Sequence, residues 1–338
     1  MRSKGFRWSI AAVVLLLCSI GSVLAERVKL EGYAEFRKGE QLIVDGQRVE
    51  AHGGTRFKGK GIYSLDNIPL GYEVKVRGLR QPDGVILADE VEAKENGIQM
   101  FEPQVLQATN QLEQIWLQEG RMFFEADGGK REVVGRIVEQ GPHVDRVRRI
   151  TARLLPPYVK PEQIRVHVVD TDEWNASAMG NGSIWVYRGL VDEMSDDELS
   201  IILGHELAHY THEHTRRGAG KALLGQIASL GVLLGARALD STAGQVAGIG
   251  GLLALTAWQS GYSRDMEDQS DRVGLRYAYE GGFDVYKGPV LWERFREKYG
   301  EPDKVTNFFV GSHSRPSDRI RNIERELALN YADVRRSR

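Results

Sequence analysis

From residue 28 to about residue 94, hydrophobic and polar positions alternate in short runs broken by glycine. In "YEVKVRGL", Tyr72, Val74 and Val76 fall on one side and Glu73, Lys75 and Arg77 on the other, the period of a half-buried strand. "LIVDGQRVEA" carries Asp45 and Gly46 between two such runs, a two-residue hairpin signal, and "GVILADEVEA" continues the pattern. The stretch predicts a small all-β barrel or sandwich of five or six strands. After it the period changes to that of helices, over residues 103–119 and 141–155. The second of these places Val144, Val147, Ile150 and Leu154 on one face and stops at Pro156 and Pro157. "IRVHVVD" then reads as a strand, and a Gly-Asn-Gly turn leads into a second strand over Ser183–Tyr187. Ser195, followed by Asp196, Asp197 and Glu198, is a cap with early acids and opens the next helix.

Two segments are more apolar than the rest. Arg2, Lys4 and Arg7 precede an apolar run over residues 10–18, and Val23-Leu24-Ala25 follows, the pattern of a secretory signal peptide cleaved after Ala25. The run is shorter than the roughly 20 residues that span a bilayer. Residues 219–258 are rich in Gly, Ala and Leu but are interrupted by Gln226, Arg237 and Gln245. They are expected to form an apolar helical hairpin, packed inside the protein or touching a membrane surface or an envelope protein.

Composition narrows the function. The 338 residues are 41% hydrophobic and 27% charged with a net charge of −2, ordinary for a globular protein, and no basic block asks for nucleic acid. The one cysteine, Cys18, lies in the leader, so a mature exported chain has neither disulfides nor thiolate chemistry. The β module resembles the small OB-like β domains of exported bacterial proteins. Its basic and aromatic residues are too sparse for an oligonucleotide groove, which leaves a protein contact or a spacer role.

The chemistry is concentrated in "ILGHELAHYTHEHTR", where His205, His209, His212 and His214 are four of the eight histidines in the chain. Residues four apart share a helix face, so His205 and His209 can offer their rings to one ion. With Glu206 they spell HExxH, in which the histidines bind zinc and the glutamate acts on water. His212 is too far along the axis from His205, at about 10.5 Å for seven residues, to share that ion comfortably. His214 is expected on the opposite side of a continuing helix, so both are read as solvated residues or outer partners. A third ligand must come from elsewhere. In "SRDMEDQSDRVGLRYA", Glu267 and Asp271 face the same way on a helix, so that one could bind the metal while the other holds a ligating histidine. Spacing alone also allows a solvated acidic face.

HExxH followed by Glu-x-x-x-Asp resembles the gluzincin peptidases, and within them the family of the CaaX prenyl proteases, HtpX, the mitochondrial Oma proteases and the periplasmic BepA-like enzymes. The likeness spans about residues 140–330. "NASAMGNGSIWVYRGLV" is similar to that family's edge-strand segment, and "SHSRPSDRI" to its late His-Pro-x-x-x-x-Arg element, with Ser314 where proline is usual. The resemblance implies zinc held by His205, His209 and Glu267, with Glu206 as general base and Asp271 supporting a ligand. It implies that His313 and Arg319 steady the oxyanion, or that His313 caps the metal at rest. It also implies that Asn175, Ser183, Ile184, Trp185 and Val186 line the substrate cleft.

The expected fold class is therefore α+β: residues 1–25 a signal peptide, 26–100 a small all-β domain, and 101–338 a mainly helical zincin-type metallopeptidase domain with a short sheet. The expected function is a zinc metalloendopeptidase of the periplasm or exterior, acting on extended or unfolded exported proteins in quality control. A non-proteolytic or latent zinc-containing chaperone is the competing reading.

Overall fold

The computed structural model describes residues 26–38, 40–95, 102–126, 130–215, 217–218, 262–301 and 315–332. The leader (1–25), the apolar segment (219–258) and His313 lie outside the described residues.

Five strands close a barrel: β1 (Glu26–Lys38), β2 (Gln41–Val44), β3 (Gln47–Lys58), β4 (Glu73–Arg80) and β5 (Ile86–Lys94), in the order β1-β2-β3-β5-β4. All neighbours are antiparallel except β3 and β5. Alternate residues point inward, so Leu30, Ala34, Leu42, Val44, Val49, Val74, Val76 and Ile86 share one apolar core. Asp45 and Gly46 both have positive φ, 47° and 72°, the backbone of a two-residue hairpin turn matched to strand twist. In β1 the register slips between Ala34 and Phe36, which pair with the consecutive residues Val44 and Ile43. Glu35 is thus the extra residue of a β-bulge, a device that re-aims a side chain.

The second body combines helices with a five-stranded sheet. In chain order it comprises α1 (Glu102–Glu119), β6 (Arg121–Ala126), β7 (Lys130–Val138), α2 (Pro142–Leu154), β8 (Arg165–Asp170), β9 (Ala176–Ala178), β10 (Ser183–Tyr187), α3 (Arg188–Glu193), α4 (Asp196–Thr211), α5 (Arg264–Glu280), α6 (Lys287–Tyr299) and α7 (Pro316–Asn330). The sheet order is β6-β7-β8-β10-β9. The hairpin β6–β7 is not among the strands read from the pattern. β7 is held by its pairing with β8 and leaves Val133 58% exposed, so its hydrophobic alternation is weak.

β10 is covered on both faces, the situation that produces a continuous apolar run. Ile184 and Val186 join Val144, Ile150, Leu199 and Leu203 in the main core, while Trp185 and Tyr187 pack with Trp116 on the other side. α4 is buried all round its middle turns, which takes Ile201, Ile202, Leu203, Leu207 and Ala208 into the interior together with the polar residues of its motif. Among the described residues no helix is long and apolar enough to cross a membrane.

Candidate metal centre

Ser195 caps α4 through a capping box: its hydroxyl accepts from the Glu198 N–H, and the Glu198 side chain accepts from the Ser195 N–H at 2.9 Å. The helix then runs unbroken through His205, Glu206 and His209 and ends at Thr211. α5 meets it with no side chain between. A Cβ added at Gly204 would lie 2.6 Å from the Gly274 carbonyl oxygen, and one added at Gly274 would lie 2.5 Å from the His205 nitrogen. Two glycines therefore let the backbones touch beside His205, which brings Glu267 and Asp271 of α5 within reach of the histidines. Gly274→Ala forces the helices apart, an overpacking cost of about 1–3 kcal/mol. We expect a lower thermal midpoint for the metal-free protein together with weaker zinc retention, measured by calorimetry and chelator competition.

His205 Nε2 and His209 Nε2 lie 2.9 Å apart. Each is 3.4 Å from a different Glu267 oxygen. All three residues are buried, and their donor atoms gather within 4.8 Å of one another. Donor atoms on one tetrahedral zinc with bonds near 2.1 Å stand about 3.4 Å apart, the separation of Glu267 from each histidine nitrogen, so two imidazoles and one carboxylate gathered in this way suit zinc. Glu206 is buried on the same helix, 1% exposed.

On the far side of His205, Nδ1 donates to Asp271 Oδ1 at 2.9 Å. Arg319 from α7 is fully buried; its Nε lies 3.1 Å from each Asp271 oxygen, and its guanidinium rests 3.5 Å above the Trp292 ring. Burial alone would raise the Asp271 carboxyl, but Arg319 and His205 hold it below the ordinary range, so it stays an anion. The Nδ1 proton this secures on His205 leaves the Nε2 lone pair directed at the site.

Several expected site residues sit differently in the structure. Arg319 lies on the Nδ1 side of His205, 2.7 Å from that nitrogen, and binds Asp271 rather than facing the metal side. β10 is not the edge of the sheet: it pairs with β8 on one side and β9 on the other. Ser183, Ile184, Trp185 and Val186 therefore offer no open backbone to a peptide. The Ser183 hydroxyl is bonded to Asn181 at 2.9 Å, and Trp185 stacks on His167. The outer strand is β9, which follows Asn175 directly; Asn175 is buried and its carbonyl accepts from the Tyr187 N–H at 2.9 Å.

The other two histidines are not solvated. His212 is 1% exposed and His214 fully buried. Because α4 stops at Thr211 and Glu213 takes a left-handed φ of 54°, the chain turns back. His214 then meets His209, Nδ1 to Nδ1, at 2.9 Å. Extrapolating a continuous helix would have sent it to the opposite side. Burial, with Arg217 nearby, keeps the His214 ring well below its usual pKa, and burial pushes His212 down to about 3. Tyr262, absent from the sequence reading, stacks on His209 with ring centroids 4.0 Å apart and bonds Thr215 at 2.9 Å. It precedes α5 at the end of an apolar stretch, and no spacing rule singles it out.

A helix-borne histidine pair closed by a carboxylate from a second helix is the centre of a metallopeptidase. Residues 143–327 match peptidase family M48, and the chain belongs to that family. Its members are zinc-dependent, in keeping with the three-residue cluster. Residues 31–92 match a domain of unknown function, DUF5666, which accounts for the barrel. Over 167 residues, 47% of this chain, the sequence is 33% identical to the mitochondrial metalloendopeptidase OMA1 of Danio rerio, covering 34% of that protein. Over 166 residues, 48% of this chain, it is 30% identical to a putative beta-barrel assembly-enhancing protease of Vibrio cholerae, covering 34% of it. Over 151 residues, 44% of this chain, it is 30% identical to the metalloprotease YcaL of Escherichia coli, covering 55% of it. The match thus spans between a third and just over half the length of these relatives.

Proposed function

We propose that this M48 peptidase is a zinc metalloendopeptidase that cleaves extended or unfolded segments of exported proteins. The observation that carries the reading is the convergence of His205 Nε2, His209 Nε2 and Glu267, with Glu206 buried on the same helix. His205, His209 and Glu267 hold the metal. Bound zinc supplies a Lewis acid that polarises the scissile carbonyl and makes a water acidic near neutral pH. Glu206 takes a proton from the attacking water and returns it to the leaving amine. Asp271 fixes His205 in the tautomer that presents Nε2, and Arg319 keeps Asp271 ionised and in place.

Among the described residues β9 pairs only with β10, and it packs against α4, the helix that carries His205 and His209. A substrate chain adding to β9 would lie in an extended form along the metal helix. Main-chain pairing of this kind reads the backbone more than the side chains and favours unfolded polypeptide. The leader pattern at residues 1–25 supports export to the periplasm or exterior. Quality control of misassembled envelope proteins fits both that location and the printed name of the Vibrio relative. The zinc-loaded chain should degrade casein, leave a compact folded domain intact, and stop when the metal is chelated. Casein left whole by the zinc-replete protein would sink this reading.

A further inference from the structure

His209 Nδ1 is held by His214, and the hydrogen bonds beyond His214 leave the peptidase domain. His214 Nε2 lies 3.0 Å from Gln269 Oε1, and Gln269 Nε2 lies 3.2 Å from Glu35 Oε1 in the barrel. The orientation of each link follows from the first. A histidine that ligates through Nε2 carries its proton on Nδ1, so His209 donates and His214 Nδ1 accepts. The His214 proton is then on Nε2, which donates to Gln269 Oε1. Arg217 Nη1 also donates to that oxygen at 3.1 Å, which independently sets the amide with its nitrogen toward Glu35. Ser270 Oγ lies 3.2 Å from the same His214 Nδ1. All three links run in one direction and end on a carboxylate.

The barrel is built to present that carboxylate. Glu35 is the bulged residue of β1 and is fully buried at the contact with α5. Besides Gln269 it accepts from Arg272 Nη2 at 2.7 Å and from the Gly46 N–H at 2.9 Å, and Arg272 also reaches Asp45 in the hairpin turn at 2.7 Å. Tyr33 and Phe36, on either side in β1, lie under the guanidinium groups of Arg217 and Arg276 at 3.7 and 4.7 Å. A spacer domain would not need a buried charge aimed through a bulge at the metal helices.

We propose that His214, Gln269 and Glu35 form a relay of positioning residues that fixes the tautomer and orientation of His209, making the barrel a structural part of the metal centre. The inference rests on the reading that His209 binds zinc through Nε2. His205 reaches its carboxylate, Asp271, directly; His209 reaches Glu35 through two intermediates. Loss of such an outer partner costs about 10–100-fold in metal affinity.

The test measures zinc affinity by competition with a chromophoric chelator in the full-length chain, for wild type, His214→Phe, Gln269→Met and the double variant. His214→Phe should bind zinc about 10–100-fold more weakly. Gln269→Met should show a smaller loss, and the double variant should be no worse than His214→Phe, because cutting one chain twice does not add. A single variant within about twofold of wild type at an unchanged metal-free unfolding midpoint overturns the relay, and so do losses that multiply in the double variant. Should the variants not fold, long-range 1H–15N spectra of the zinc-loaded wild type decide. His209 protonated on Nδ1 and His214 on Nε2 uphold the relay, and His214 protonated on Nδ1 overturns it. A wild type that takes up no zinc removes the metal-site reading itself; a zinc-binding wild type with indifferent variants removes only the relay.

Discussion

Glu206→Gln should keep its zinc and lose peptide hydrolysis. The substitution preserves the size of a side chain buried at 1% exposure, and Glu206 is not one of the three residues whose donor atoms gather in the cluster. Metal content and the metal-free unfolding midpoint should therefore match wild type. What disappears is a base able to take a proton from water and return it to the amine. Positioned general acid–base groups contribute about 10²–10⁴-fold, and turnover should fall by about that factor. Peptide cleavage and metal analysis on the same preparation check both halves. Near-normal turnover in the variant would place the base elsewhere, and loss of zinc would move Glu206 into the set that holds the metal.

Glu267→Ala should have the opposite signature, losing zinc first and activity in consequence. Without the carboxylate, His205 Nε2 and His209 Nε2 still face each other at 2.9 Å, but two imidazoles alone do not complete a three-ligand site. The loss of affinity should exceed the roughly 10–100-fold expected for removing an outer partner such as Asp271. Because a ligand that binds only the native state raises its stability by mass action, wild type should melt at a higher temperature in excess zinc. Glu267→Ala should show little such shift. A zinc-dependent shift equal to that of wild type would mean that another residue supplies the third ligand.

The motif itself was legible in sequence because its geometry is local. Positions i and i+4 share a helix face whatever surrounds them, so His205 and His209 paired on paper as they do in space. The same rule placed Glu267 and Asp271 together on α5. It failed at His214, since a rule for continuing helices cannot foresee that α4 ends at Thr211 and that Glu213 turns left-handed. Strand order was similarly out of reach. The pattern located Ser183–Tyr187 as a strand but not its neighbours, and the three-residue β9 that displaces it from the sheet edge is too short to show a period.

The sequence by itself determined the barrel's alternation, the capped metal helix, the histidine pair and the carboxylate pair, each encoded within a few turns or one strand. Only the tertiary structure decided which faces meet. The contact of Gly204 with Gly274 sets Glu267 against the histidines, the course of α7 brings Arg319 to Asp271, and a one-residue bulge sends Glu35 from the barrel toward Gln269. Such contacts join residues from 48 to 234 positions apart, and their energy comes from close packing and buried hydrogen bonds that no local period records.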